Sequence, residues 1–194
     1  MKYNLIKIIL LVFTLSVTVQ AKAADFGFKP SNVYSIWLNI NQVFLQYQSH
    51  SNLNLQAQNQ IFAIKPERFT DKQPRDVYRQ VEDVKKMLES AFDLPEISHQ
   101  PAWVDHYKTL QYQQVEEQIH PSSVFILSSQ LLRALVDQYI QATQSRLPVS
   151  QFYSDVEVVD KTPSDVFAQV DLLKRRLAHY IQFKSIQVQP GQGG

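Results

Sequence analysis

The chain has 194 residues, 44% of them hydrophobic and 19% charged, with 19 Lys and Arg against 18 Asp and Glu. It has no Cys, which excludes a disulfide framework, a thiolate nucleophile, a Cys-based zinc site and a c-type haem attachment. Its four glycines are Gly27, Gly191, Gly193 and Gly194, so no P-loop, dinucleotide fingerprint or nucleophile elbow fits between Phe28 and Pro190.

Residues Met1 to Ala23 read as a secretory signal peptide. Lys2 and Lys7 form a positive start, Ile8 to Val19 is mainly apolar, and Ala21-Lys22-Ala23 is a small-x-small cleavage pattern. The apolar stretch is short for a membrane-spanning helix, which needs about 20 residues. Cleavage near Ala23 would make the protein periplasmic or secreted, with no membrane span in the mature chain. Loss of Lys2, Lys7 and Lys22 leaves 16 basic residues against 18 acidic ones, a net charge of −2. That balance gives no reason to expect nucleic acid, whose affinity rests on a basic face.

One short motif then recurs four times. It runs Pro30-Ser31-Asn32-Val33-Tyr34, Pro74-Arg75-Asp76-Val77-Tyr78, Pro121-Ser122-Ser123-Val124-Phe125 and Pro163-Ser164-Asp165-Val166-Phe167. The prolines are 44, 47 and 42 residues apart, a period of about 44. Each copy reads as a helix start. Proline is accommodated at the first helical position, where its missing N–H has no intrahelical partner. The polar residue two places on suits the exposed N–H groups and the positive dipole end. Thr162 and Asp165 have the spacing of a capping box.

Helical periodicity follows each start. The first copy continues through Trp37, Ile40, Phe44 and Tyr47, the second through Val81, Val84, Leu88 and Phe92. The third gives Leu131, Leu135 and Tyr139, with Ser128 breaking the stripe, and the fourth Val170, Leu173, Leu177 and Tyr180. Ile36, Leu38 and Leu45, and later Ile126, Leu127, Leu132 and Val136, lie off the stripe, so the first and third helices are expected to be the more buried. Tyr34, Tyr78, Phe125 and Phe167 are expected to pack into the core. Lys174-Arg175-Arg176 reads as a solvated basic face.

The linkers are too long for simple bundle loops. The first carries apolar runs at Leu53-Asn54-Leu55 and Ile61 to Ile64. The second has helical spacing between Trp103 and Ile119. Asp155 to Asp160 and Phe183 to Val188 alternate partly like short strands. The expected fold is mainly α: a bundle of four long amphipathic helices built from four internal repeats, with partly ordered linkers holding short strands or an extra helix. A stack of αα repeats is the alternative. Residues 24–188 would form one helical domain, with repeats starting near 30, 74, 121 and 163, followed by a flexible tail at 189–194.

No motif marks a catalytic, cofactor or metal site. His50, His99, His106, His120 and His179 show no metal-ligand spacing. Trp103, in a Pro-rich linker, is the best candidate for an exposed aromatic contact, with His106 and Tyr107 beside it. The expected function is therefore a non-catalytic, exported interaction or sensory module of the cell envelope, with an envelope protein as partner. The alternative is a periplasmic binder of a small ligand in an aromatic pocket between helices. A hydrolase would need scattered His, Asp and Glu side chains to converge.

Overall fold

The computed structural model describes residues 27–94, 97, 119–145, 152 and 157–187. Residues 1–23, the linker around Trp103 and the tail from 189 onward lie outside them. The described chain is mainly helical, and no strand occurs in it. The helices are α1 (Pro30–Ser49), α2 (Leu55–Ala63), α3 (Pro74–Phe92), α4 (Pro121–Thr143) and α5 (Pro163–Gln187). Among the described residues no helix is long and apolar enough to cross a membrane.

All four long helices begin at the proline of the recurring motif. A residue before proline is driven to extended backbone, and Lys29, Gln73 and His120 all have ψ near 160°. The small polar residue two places after the proline then closes the turn. Asn32 Oδ1 accepts from the Lys29 N–H at 2.9 Å, and Asp76 Oδ2 from the Gln73 N–H at 2.9 Å. Asp165 Oδ2 accepts from the Thr162 N–H at 2.8 Å, while Thr162 Oγ1 accepts from the Asp165 N–H at 3.3 Å. The Thr162 N–H holds the Asp165 carboxyl below its ordinary value of 3.8 against the upward push of burial, with smaller help from the Thr162 hydroxyl and the Lys161 charge.

Three residues before the proline the backbone turns left-handed. Gly27 has φ 72°, Asp71 58° and Asp160 56°. This turn aims the next residue at a neighbouring helix. The Lys72 N–H donates to Ser164 Oγ at 3.1 Å, and the Lys161 N–H to Ser31 Oγ at 3.1 Å. The side chains then cover a ring four places after the neighbour's proline. Lys72 Nζ lies 4.6 Å from the Phe167 centroid and Lys161 Nζ 4.9 Å from that of Tyr34. Phe28 stacks on Phe125 at 4.1 Å. The recurring aromatics were expected in the core. All four are half-buried instead and packed against the core, and Tyr34, Phe125 and Phe167 are roofed by the neighbour.

The long helices run in one direction. The four prolines with Val33, Val77, Val124 and Val166 surround one dimple of about 10 Å³. Deeper contacts join residues at similar distances from their prolines. The Trp37 N–H meets Ser128 at 2.8 Å, Gln80 Nε2 meets Asp171 at 3.2 Å, and Lys174 meets Asp83 at 2.8 Å. At the far end Phe44, Tyr47, Phe92 and Tyr180 pack edge-on or tilted, with centroids 4.9–6.1 Å apart. Burial, and then a hydrogen bond with Tyr47, pushes the Tyr180 hydroxyl well above its ordinary range. α1 packs mainly on α4 and α5, and α3 on the same two.

Parallel α1 and α3 require the linker between them to travel back a full helix length. After α2, residues 64–72 do so along α5: Ile64 and Lys65 lie beside Arg176 and Arg175, Phe69 beside Phe167, and Lys72 beside Ser164. α2 itself, in the first linker, is held at its start by Asn54 Oδ1, which accepts from the Ala57 N–H at 2.9 Å; the helical spacing between Trp103 and Ile119 falls almost wholly outside the described residues. The expected strands are absent from the described residues. Residues 157–159 carry no ladder, and 183–187 continue α5. The apolar stripe explains this last difference, because Phe183 follows Tyr180 by three residues and packs on the core.

Burial also departs from expectation. α1 and α4 are well buried, but so is α5, whose Ala168, Leu172 and Arg176 join its stripe inside. The cause is α2, which packs against α5 as well as α1.

Candidate functional site

A concave feature that gathers polar groups, a cavity of about 630 Å³, lies between α1, α2 and α5. That volume lies in the range of small-molecule sites, about 300–1,000 Å³. Leu45 from α1, Phe62 from α2 and Leu172 from α5 supply apolar wall. Amide side chains, including Asn41, Gln48 and Gln169, supply most of the polar lining, and no Asp or Glu contributes.

The site follows from local sequence. Asn41 and Gln48 stand seven residues apart on α1, two helical turns and about 10 Å at 1.5 Å per residue. Ala57 and Ile61 are the inward face of α2. Anchoring them leaves Phe62 and Asn59 on the cavity wall.

Asn41 is fully engaged. Its Nδ2 donates to Trp37 O and to Gln169 O, both at 3.0 Å, and its Oδ1 accepts from Arg176 Nη1 at 2.9 Å. Arg176 Nη2 donates to Ile64 O at 3.2 Å. Arg176 Nε is buried without a hydrogen-bond partner, and so is Gln48 Nε2. Arg176 is 7% exposed and Gln48 2%. Both partners of the guanidinium are neutral oxygens. Burial, and then the adjacent Arg175, push the Arg176 pKa down to about 10.

The basic run therefore divides. Lys174 pairs with Asp83 at 2.8 Å, and Arg175 with Asp171 at 2.7 Å and Glu67 at 3.4 Å, so these two form the expected charged face. Arg176 does not: it turns inward. A signal was present in the aligned motifs. Thirteen residues after the proline the other copies carry Val43, Met87 and Ala134, so this column is apolar and Arg176 interrupts it.

The candidate contacts Trp103, His106 and Tyr107 lie outside the described residues, as do His99 and the Gln-rich stretch before Ile119. Trp37 is fully buried as core, its indole N–H bound to Ser128. His50 packs edge-on against Tyr139 at 5.6 Å and bonds Gln46 O through Nδ1 at 2.8 Å. Among the described residues no three His, Asp or Glu side chains are grouped to hold a metal ion.

No family model, curated protein or solved structure matches this chain.

Proposed function

We propose that the protein is an exported, non-catalytic helical module of the cell envelope that senses or carries a small ligand in the α1–α2–α5 cavity. One observation carries the reading: Arg176 and Gln48, which both contribute to the wall of a ligand-sized cavity, each keep one buried donor, Nε and Nε2, without a partner. A buried donor left unmade costs about 1–3 kcal/mol, and more when charged. A ligand that draws either side chain toward the cavity and accepts from it removes that cost. The framework holding the cavity is read as one bundle of four related helical units. The convergence of four prolines and four valines at one end supports that reading.

The test is a thermal-shift screen of the mature protein against neutral sugars, amides, amino acids and organic acids. A ligand at 100 times its Kd adds about 2.7 kcal/mol. Gln42 and Asn59 line the cavity and are exposed, so Gln42→Trp and Asn59→Trp fill it without touching the core. Both substitutions are expected to abolish the shift. A screen without a hit, or hits that survive both substitutions, refutes the proposal.

A protein partner is the second reading. It is favoured by Leu55 and Phe62 on α2, 70% and 60% exposed and seven residues apart on one face. Leu55→Ser with Phe62→Ser is expected to abolish crosslinking to that partner in envelope extracts.

A further inference from the structure

We propose that the outer groove of α4 is a docking site for a non-helical segment of a partner protein, one that carries an acid two residues before an aromatic. The site lies apart from the α1–α2–α5 cavity and does not depend on a ligand there.

α4 and α5 hold corresponding places, since each packs on both α1 and α3. Their outer faces correspond as well. On α5, Lys72, two residues before the α3 proline, covers the Phe167 ring at 4.6 Å. On α4, Phe28, two residues before the α1 proline, stacks on Phe125 at 4.1 Å. Phe167 and Phe125 both stand four places after the prolines that open their helices, and Arg175 and Arg133 twelve places after.

What covers the two faces differs. On α5 the chain that leads to Lys72 lies along the helix. Phe69 packs on Phe167 at 4.8 Å, Glu67 pairs with Arg175 at 3.4 Å, and Arg175 Nη2 donates to Lys65 O at 2.9 Å. With that stretch and α2 in place, Ala168, five places after the proline, is 8% exposed and the Arg175 side chain 31%. On α4, Ile126 in the same place is 40% exposed and the Arg133 side chain 81%. Arg133 meets Asp137 at 3.9 Å, the outer limit of an ion pair. Among the described residues Phe28 is the one ring stacked on Phe125, and the place that Phe69 takes on α5 has no counterpart.

Between Phe28 and Arg133 the face is a groove of about 460 Å³. Phe28, Phe125 and Ile126 make one end apolar, Arg133 makes the other cationic, and no acid lines it among the described residues. An acid is complementary to the Arg133 end and a ring to the Phe125 end. Residues 64–70 already bridge the same two positions on α5, with Glu67 and Phe69 two residues apart. The occupant of the α4 groove is therefore a segment of that chemistry.

The test is fluorescence anisotropy with a labelled peptide of residues Ile64 to Thr70, titrated with the mature protein. The peptide is expected to bind saturably, one to one. Phe69→Ala in the peptide should weaken binding at least tenfold, and Glu67→Gln several-fold. Ile126→Glu or Arg133→Glu in the protein should each weaken it at least tenfold; both positions are exposed, so the fold has little to lose. Glu67→Lys in the peptide should recover binding to the Arg133→Glu protein, which a non-specific contact does not do. No saturable binding, or binding indifferent to Ile126→Glu and Arg133→Glu, overturns the proposal. Binding lost on Arg175→Ala but kept on Arg133→Glu also overturns it, because the peptide then displaces the chain's own residues 64–70 from α5. A wild-type dimer that Ile126→Glu dissociates in sedimentation does so too, and makes a second copy the occupant.

Discussion

The indole N–H of Trp37 donates to Ser128 Oγ at 2.8 Å, and each residue stands seven places after the proline that opens its helix. Ser128 therefore breaks the apolar stripe of α4 for a steric and a chemical reason. It is small where the indole of α1 intrudes, and it accepts the indole proton. Ser128→Val would restore the pattern but overfill this layer and orphan the N–H. It is expected to cost about 2–4 kcal/mol, from overpacking and the lost hydrogen bond. Urea unfolding measures this, and Trp37→Val in the same chain should recover part of the loss.

The convergent helix starts make a second prediction. Val166 is buried among the four prolines, and Phe167 packs on Phe69 at 4.8 Å beneath Lys72. Val166→Ala with Phe167→Ala should destabilise the fold by about 3–5 kcal/mol, as large-to-small core changes do. Near-wild-type melting would mean that the dimple is surface.

A third concerns pH. The Asp165 carboxyl is held below 3.8 in the folded chain by the Thr162 N–H and hydroxyl. The unfolded chain then binds more protons in that window, so this group stabilises the fold above pH 3.8 and loses its effect as pH falls through the lower folded value. Asp165→Asn keeps an acceptor and loses the charge, as Asn32 does in α1. Its stability curve should be flatter than wild type on the acid side, with the two curves converging in strong acid. Parallel curves down to that limit would contradict the assignment.

A fourth uses the scarcity of glycine. α4 ends at Gln144 with φ 50°, a left-handed cap that usually falls to glycine. A side chain there costs about 1 kcal/mol or more, and Gln144 is exposed, with no packing to lose. Gln144→Gly should raise stability by about 0.5–1 kcal/mol, read as a higher urea midpoint with unchanged slope.

The cavity gives a fifth. A buried charge without a counter-ion carries a desolvation cost that its removal relieves. Ligand-free Arg176→Gln is therefore expected to melt at or above the wild-type temperature, although the shorter amide gives up the guanidinium's bonds to Asn41 Oδ1 and Ile64 O. A melting temperature several degrees lower would show that the guanidinium is mainly structural.

The helix starts were legible because proline, a short polar cap and an apolar pair leave little alternative; α1, α3, α4 and α5 begin where the motif says. Their ends were less so. Without glycine caps nothing in the sequence stops α5, and alternation at 183–187 imitates a strand. The turn before Pro30, Pro74 and Pro163 was missed because Gly27, Asp71 and Asp160 share a backbone angle rather than a residue type. Arg176 was misread because two of three adjacent basic residues do face solvent; only its column in the aligned motifs shows it turning inward.

The parallel arrangement bears on how the chain finds its fold. α1 and α3 are successive long helices, but neither packs substantially on the other; each leans on α4 and α5. No hairpin of adjacent long helices is available as an early stable unit. Most contacts of α1 await residues roughly 90 to 150 positions further along, and high contact order slows folding by orders of magnitude relative to an up-down bundle of this size. A chain that stops before Pro163 lacks a principal partner of both α1 and α3, so it should collapse without acquiring fixed side-chain packing.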